Sequence, residues 1–331
     1  MTIDARGPVA SADDLTIIVK TAGERTAEAS LALIRDQVPA DRIHVVDARQ
    51  SESGIRRTYE LGLERGAAWT MTMGTDALLR RGAVAELVAE ARRMPERHFH
   101  VECRIFDKFT GLYRQAGQRI YRTDLLRQAL QHIPAPGSTM RSEYTVIQAM
   151  ARLGYPSRRV ALVAGLHDFE QYYRDIYRTA FVHAIKHRPL VPSIVERCLA
   201  AWDDDDFKVA LAGLYDGIMA GRAGRGGAVP EALPQEWLDR FGLVEKSPLV
   251  AETFTPGFAA IYARIVAEHA PPCFDASDEP PVRRAVLREY WNAYQDGLAR
   301  RGWWKGTAGT IGRFLRRAGE ALEGHDNRRE A

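Results

Sequence analysis

Cysteine is scarce in this chain. Three occur in 331 residues, Cys103, Cys198 and Cys273, far apart and with no Cys-x-x-Cys spacing. A disulfide framework and a thiolate zinc site are both excluded, and the pattern fits a reducing compartment. Long apolar runs are missing as well. None approaches the roughly 18 residues of a spanning helix, and the longest clean ones, such as 160–166, are strand-sized. The opening Met-Thr-Ile-Asp-Ala-Arg lacks the apolar stretch of a secretory signal, so the expectation is a cytoplasmic protein, or one held peripherally at the inner face of the cell membrane. Charge of one sign is not in excess: 46 Lys+Arg against 43 Asp+Glu leave +3, too little to imply a nucleic-acid partner. Gly-x-Gly-x-x-Gly and Gly-x-x-x-x-Gly-Lys-Ser/Thr are both absent, which removes the dinucleotide and P-loop fingerprints. There is no internal repeat.

What is present is the composition of a folded protein, 46% hydrophobic and 27% charged, in a chain long enough to bury a large core. After a loose tail over 1–13, short β-branched runs alternate with helical periods. LTIIVK (15–20), IHVVD (43–47) and AAWTMTMG (67–74) read as strands. Residues 24–38, 54–65 and 81–94 read as helices, the last with Val84, Leu87, Val88 and Ala91 on one face. Strand, helix, strand, helix at this spacing implies an α/β fold with a mostly parallel sheet flanked by helices. Further on, 98–106 and 160–166 are strand candidates and 111–122 is a hairpin or loop. The stretches 125–131, 143–153 and 168–187 are helix candidates, with Asp168 as N-cap of the last. Pro189 and Pro192 mark a boundary, so the domains expected are 14–190 and an all-helical region over 191–331.

In an open parallel sheet, ligands collect beyond the carboxyl ends of the strands. The first strand runs into Lys20-Thr21-Ala22-Gly23-Glu24-Arg25, the second ends at Asp47, and the third at Gly74-Thr75-Asp76. Asp47 can accept hydrogen bonds from a base or a ribose. Asp76 can hold a divalent metal against a diphosphate, since Mg²⁺ and Mn²⁺ are commonly bound by one or two carboxylates plus phosphate oxygens.

On these residues the sequence resembles the family 2 glycosyltransferases, of GT-A fold, over about residues 14–187. The resemblance rests on LTIIVKT, then IHVVDAR, then GIRRTYELGLERGAAWTMTMGTDALLRRGAVAELV. It implies a GT-A-like sheet and transfer of a sugar from a nucleotide-diphosphate sugar to an acceptor hydroxyl, commonly with inversion. It also implies a divalent metal, Mn²⁺ or Mg²⁺, and a glycan or lipid-linked acceptor, as in envelope or surface glycan synthesis. Lys20, Thr21, Asp47, Thr75 and Asp76 then fall at the donor, with Asp76 as the last Asp of the family's Asp-x-Asp. Two positions depart from the pattern: Gly74 stands at the first Asp and Tyr144 at the Asp often cast as base. Glu143 or Asp168 is the candidate base instead, and His167 a candidate metal ligand beside Asp76.

Other features have plainer readings. Glu143 sits in the first turn of its helix, where the dipole favours a carboxylate and works against a basic role. His183 and His187 lack the His-Glu-x-x-His pattern and read as ordinary helix residues. The run Asp203–Asp206 reads as a solvated helix start, and Phe169, Tyr172, Tyr173, Ile176 and Tyr177 as a core stripe. Arg114, Arg119 and Arg122 can meet phosphate. Residues 301–317 mix Trp303, Trp304 and Phe314 with Arg301, Lys305, Arg313, Arg316 and Arg317, a composition suited to a membrane surface or to docking on the protein itself. Two alternatives remain: a non-catalytic sugar-nucleotide-binding or scaffold protein, favoured by Gly74 and Tyr144, and a sugar nucleotidyltransferase, disfavoured by the single glycine after the first strand.

Overall fold

The run LTIIVKT forms β1 (Leu15–Thr21), whose first five residues are buried. The computed structural model describes residues 14–48, 51–115, 118–136, 142–222, 230, 232–272 and 277–278. After β1 come α1 (Ala27–Arg35), β2 (Ile43–Asp47), α2 (Ser51–Arg65), β3 (Trp69–Gly74), β4 (Ala77–Leu79), α3 (Ala83–Arg93), β5 (His100–Asp107), β6 (Tyr113–Arg114) and β7 (Arg119–Arg122). The chain continues through α4 (Leu126–Ala129), α5 (Ser142–Arg152), β8 (Ser157–His167), α6 (Tyr173–Lys186), α7 (Val191–Ala200), α8 (Asp205–Arg222) and α9 (Gln235–Phe241). It ends, among the described residues, with α10 (Ala251–Phe254), α11 (Phe258–Glu268) and β9 (Ser277–Asp278). The expected tail over 1–13 and the basic segment over 301–317 lie outside the described residues.

The strands form one sheet in the order β2-β1-β3-β7-β5-β8-β4, with β6 on β5 and β9 on β8. The α/β class is the one expected, but the sheet is mixed. β1 is parallel to β2 and β3, and β5 to β8, whereas β7 runs antiparallel between β3 and β5 and β4 runs antiparallel to β8. The stretch expected as a hairpin or loop supplies the antiparallel insert. The two-residue β9 is likewise a strand in a region expected to be all helical.

The connection from β3 to β4 fixes the curvature. In the strand order these two are four steps apart, about 19 Å in a flat sheet at the usual inter-strand spacing. Only Thr75 and Asp76 join them, a link that reaches about 11 Å at most. The sheet therefore curls until β8 and β4 come round beside β3, and Asp76 sits in the link that crosses the strand ends. Register sets the neighbours: Lys20 opposite Gly74, Ala77 opposite His167, and Asp107 opposite His167.

One apolar layer packs the sheet against α1 and α3, through Ile17, Val19, Met71, Val84, Leu87, Val88 and Ile105. A second, on the other side, joins Tyr59 of α2, Phe99, Tyr121, and Val146, Ile147 and Met150 of α5. A third joins α6 to α7, α8 and α9 through Ile176, Tyr177, Ile194, Val209 and Leu238, so the aromatic stripe is core as its spacing implies.

Two further expectations are corrected. The helix expected from Asp168 begins at Tyr173, because Asp168 (φ 61°) and Glu170 (φ 57°) take left-handed backbone conformations that a helix start does not allow. The acidic run is not simply solvated. Asp206 is 4% exposed and meets Lys108 Nζ at 2.6 Å and also Lys246, while Asp204 meets Lys108 at 2.9 Å. A buried cation at the end of β5 needs a buried anion, and the start of α8 supplies it.

α6 and α8 approach closely because α8 carries glycine where a side chain would strike backbone. A Cβ at Gly213 would run into the Tyr177 carbonyl oxygen, and one at Gly217 into that of Phe181. Gly213→Val should therefore cost about 1–3 kcal/mol by overpacking, read as a lower urea midpoint. Gly221→Ala, whose nearest neighbour is an arginine nitrogen at 3.5 Å, should leave the midpoint unchanged or slightly raised.

Candidate active site

Beyond the ends of β1, β3, β5 and β8 lies a cleft of about 620 Å³. Lys20, Gly74, Asp76 and His167 border it from the sheet, Arg114 and Arg119 from β6 and β7, which both run antiparallel to β5, and Glu143 and Tyr144 from α5. α6 presents Arg178, Thr179, Val182, His183 and Lys186, with His187 following, residues that share a helix face by their spacing.

His167, at the end of β8, is the centre of this arrangement. Its Nδ1 lies 3.1 Å from Asp107 Oδ2 and 3.0 Å from Asp168 Oδ2, and its Nε2 lies 3.3 Å from Asp76 Oδ2. Asp107 is fully buried and gathers four more contacts. Thr110 donates to it through its backbone N–H and hydroxyl, both at 2.8 Å, and Arg114 through Nε at 2.7 Å and Nη2 at 2.5 Å. Burial opposes ionisation of Asp107, but the Arg114 guanidinium and His167 outweigh it and hold the carboxyl well below its usual range. Burial also opposes the His167 imidazolium, yet Asp168 and Asp76 raise its pKa well above the ordinary value. Asp168 goes the other way: burial, then its fellow carboxylates Asp107 and Asp76, push it up despite His167.

Asp76, His167 and Asp168 each offer one ligand atom, and these atoms lie within 4.8 Å of one another. Three carboxylates thus crowd one imidazole and one guanidinium. Although close to Nδ1, Asp168 Oδ2 is buried without a hydrogen-bond partner, a cost that a cation would remove. Two carboxylate oxygens and an imidazole nitrogen form a donor set that fits a divalent ion such as Mn²⁺. With Nδ1 occupied by Asp107, Nε2 is the nitrogen left to coordinate.

The other expected residues divide. Lys20 borders the cleft, 3.8 Å from Glu143 Oε1. Glu143 accepts from Arg119 Nη1 and from the Tyr121 hydroxyl, each at 2.8 Å. Burial notwithstanding, Arg119 and then Lys20 draw its carboxyl down to about 2, so it is a weak base with its lone pairs engaged. Thr21 and Thr75 do not border the cleft. Thr75 is fully buried, and both hydroxyls are turned onto Glu24 Oε2, at 2.9 and 2.5 Å. Asp47 is exposed at the end of β2 and is not among the bordering residues, although Ala48 is. Arg122 stacks on Trp69 at 4.9 Å. His183 and His187, expected as ordinary helix residues, both border the cleft. His183 is buried, and burial followed by the Arg114 charge lowers its pKa to about 4.

Gly74, the departure from the expected motif, has a steric reason. A Cβ there would run into Asp76 Oδ1, so the Asp76 carboxylate occupies the space a side chain at 74 would need. Asp107 and Glu24 were missed by sequence reasoning. Asp107 ends a strand as Asp47 and Asp76 do, a signal that was available; Glu24 carried none beyond its place after β1.

No protein-family model and no curated protein matches the sequence. Among solved structures, the mannosyltransferase PcManGT from Pyrobaculum calidifontis, in complex with GDP-Man and Mn²⁺, is similar with 14% identity and a TM-score of 0.38, over 84% of this chain and 87% of that one. A glycosyltransferase involved in the glycosylation of the major capsid of PBCV-1 is similar with 9% identity and a TM-score of 0.33, over 45% of this chain and 81% of that one. Likenesses this distant fix neither the reaction nor the substrate.

A carboxyl whose pKa falls on folding stabilises the fold above its ordinary value, and that share disappears as the pH drops through the folded value. For Glu143 the window runs from about 4.5 down to about 2. Glu143→Gln should be less stable than the parent near neutral pH, and the gap should narrow as the pH falls below about 4.5. Chemical denaturation across that range reads it, and a gap that stays constant refutes the ion-pair assignment.

Proposed function

We propose that this chain is a glycosyltransferase that takes a sugar from a nucleotide-diphosphate sugar and passes it to an acceptor hydroxyl, with a divalent cation held by Asp76, His167 and Asp168. The observation that carries this is the meeting of those three ligand atoms at a cleft that Asp76 and His167 border together with Lys20, Arg114, Arg119, Arg178 and Lys186. Basic side chains around a carboxylate–imidazole cluster suit a ligand bearing phosphate oxygens.

When bound, the cation would supply charge stabilisation to the departing nucleotide diphosphate. The chain's own residues do the rest. Asp107 holds His167 in one ring orientation. Gly74 leaves room for the Asp76 carboxylate. Lys20 and Arg114 stand near enough to Asp76 to lower its pKa, after His167 and against burial, and the same positive field favours a diphosphate.

Inversion needs a protein base beside the acceptor hydroxyl. Of the two carboxylates expected in that role, Glu143 is committed to Arg119 and Tyr121, which leaves Asp168. We assign Asp168 to the cation, on its unpartnered buried oxygen, and one variant separates the two roles. Asp168→Asn should weaken Mn²⁺ binding measured by calorimetry; retained Mn²⁺ and nucleotide binding with transfer abolished would make it the base instead.

The reading as a whole is tested by thermal shift. A nucleoside diphosphate with Mn²⁺ should raise the Tm, by the equivalent of about 2.7 kcal/mol at a hundredfold excess over Kd. Asp76→Ala and His167→Ala should remove the Mn²⁺-dependent part, and Gly74→Ala should reduce it by displacing the Asp76 carboxylate. A response confined to a nucleoside triphosphate plus a sugar 1-phosphate would favour nucleotidyl transfer, and no response to any nucleotide would favour a scaffold.

A further inference from the structure

The link that carries Asp76 is held through three consecutive carbonyls. The Thr26 hydroxyl donates to Thr75 O at 2.7 Å, the Asp168 backbone N–H to Asp76 O at 3.1 Å, and the Ser30 hydroxyl to Ala77 O at 2.8 Å. Thr26 and Ser30 stand one turn apart at the start of α1, and both are fully buried. Thr26 occupies the N-cap position of α1, where a hydroxyl commonly caps its own helix, yet its side chain makes no cap bond. Its oxygen instead accepts a second hydrogen bond, from Gln171 Nε2 at 2.7 Å. One buried hydroxyl thus joins the residue before Asp76 to the loop after Asp168.

That loop needs holding. Asp168 (φ 61°) and Glu170 (φ 57°) are both left-handed, a backbone state that persists only where the surroundings impose it. Gln171 is 2% exposed. Beside it, Arg25 Nη1 donates to the Glu170 carbonyl at 3.1 Å and to its carboxylate at 2.8 Å, while Arg25 Nε donates to Ser247 O at 2.7 Å.

Resting on the cation assignment made under the glycosyltransferase reading, we propose that Thr26 and Gln171 are positioning residues whose hydrogen bond fixes the separation of the Asp76 and Asp168 carboxylates and so makes the cluster selective for a small divalent cation over Ca²⁺. Selectivity between small and large divalent ions is a matter of cavity size, ligand number and ligand flexibility. Neither Thr26 nor Gln171 is one of the three ligand residues. They act through the backbone on either side, at 75–76 and 168–171. A frame tied across its two arms cannot widen for the larger ion, and a loosened one can.

The informative variant is Thr26→Val, which keeps the shape and removes the hydroxyl. Calorimetry on the full chain reads Mn²⁺ directly and Ca²⁺ by competition against Mn²⁺. Thr26→Val should raise the Mn²⁺ Kd about tenfold while the Ca²⁺ Kd stays within about twofold, so the preference for Mn²⁺ falls. Thr26→Ser restores the hydroxyl and should keep the parent preference within about twofold. Gln171→Leu removes the other partner and should repeat the Thr26→Val result; it carries the test if Thr26→Val does not fold. A purely structural role would weaken both ions alike or neither. An unchanged preference in Thr26→Val and Gln171→Leu, or an equal loss of both ions, overturns the proposal. Parent protein that binds no Mn²⁺ sinks the cation assignment itself.

Discussion

The buried carboxylate of Asp107 is the constraint on which the site depends. It joins three separate pieces of chain: its own turn through Thr110, the β6 hairpin through Arg114, and the end of β8 through His167. A carboxylate in such a place is costly unless each oxygen is satisfied. Here each oxygen has at least two donors, so the anion and its partners hold one another. The imidazole is oriented before any ligand arrives, and the hairpin that carries Arg114 is anchored by the same charge.

Much of the fold was legible in the sequence, because β1, β2, β3 and α3 are announced by clean period changes with little tertiary interference. The antiparallel β7 was not, since four residues between β3 and β5 bear no pattern that fixes their direction. The start of α6 was misplaced for a different reason: Asp168 looks like an N-cap, and only the backbone shows that it is turned left-handed beside His167. Strained residues next to reactive groups are where local rules fail. In the site, Asp76 and His167 could be named from strand ends, a one-dimensional signal. Asp107 ends a strand in the same way and carries the same signal, whereas His183 and Glu24 do not, because their places come from partners distant in sequence.

Thr75 and Gly74 show how an unusual motif can keep a workable geometry. Glycine at 74 frees the volume that Asp76 fills, and the Thr75 hydroxyl reaches back to the β1 turn to hold Glu24. Glu24 so held borders the same cleft as Asp76 but lies outside the cation cluster. Read only along the chain, the segment looks depleted; read in space, Gly74 and Asp76 border a cleft that Glu24 borders too.

The glycine-mediated contact between α6 and α8 makes one helix serve two masters. Its outer face rests on the segment after residue 190, and its inner face carries Arg178, His183 and Lys186 to the cleft. That wall of the cleft is therefore founded on the stretch beyond the two prolines. A truncation placed at that seam would remove the foundation and leave the wall unsupported, so the two stretches have to be expressed and engineered as one piece.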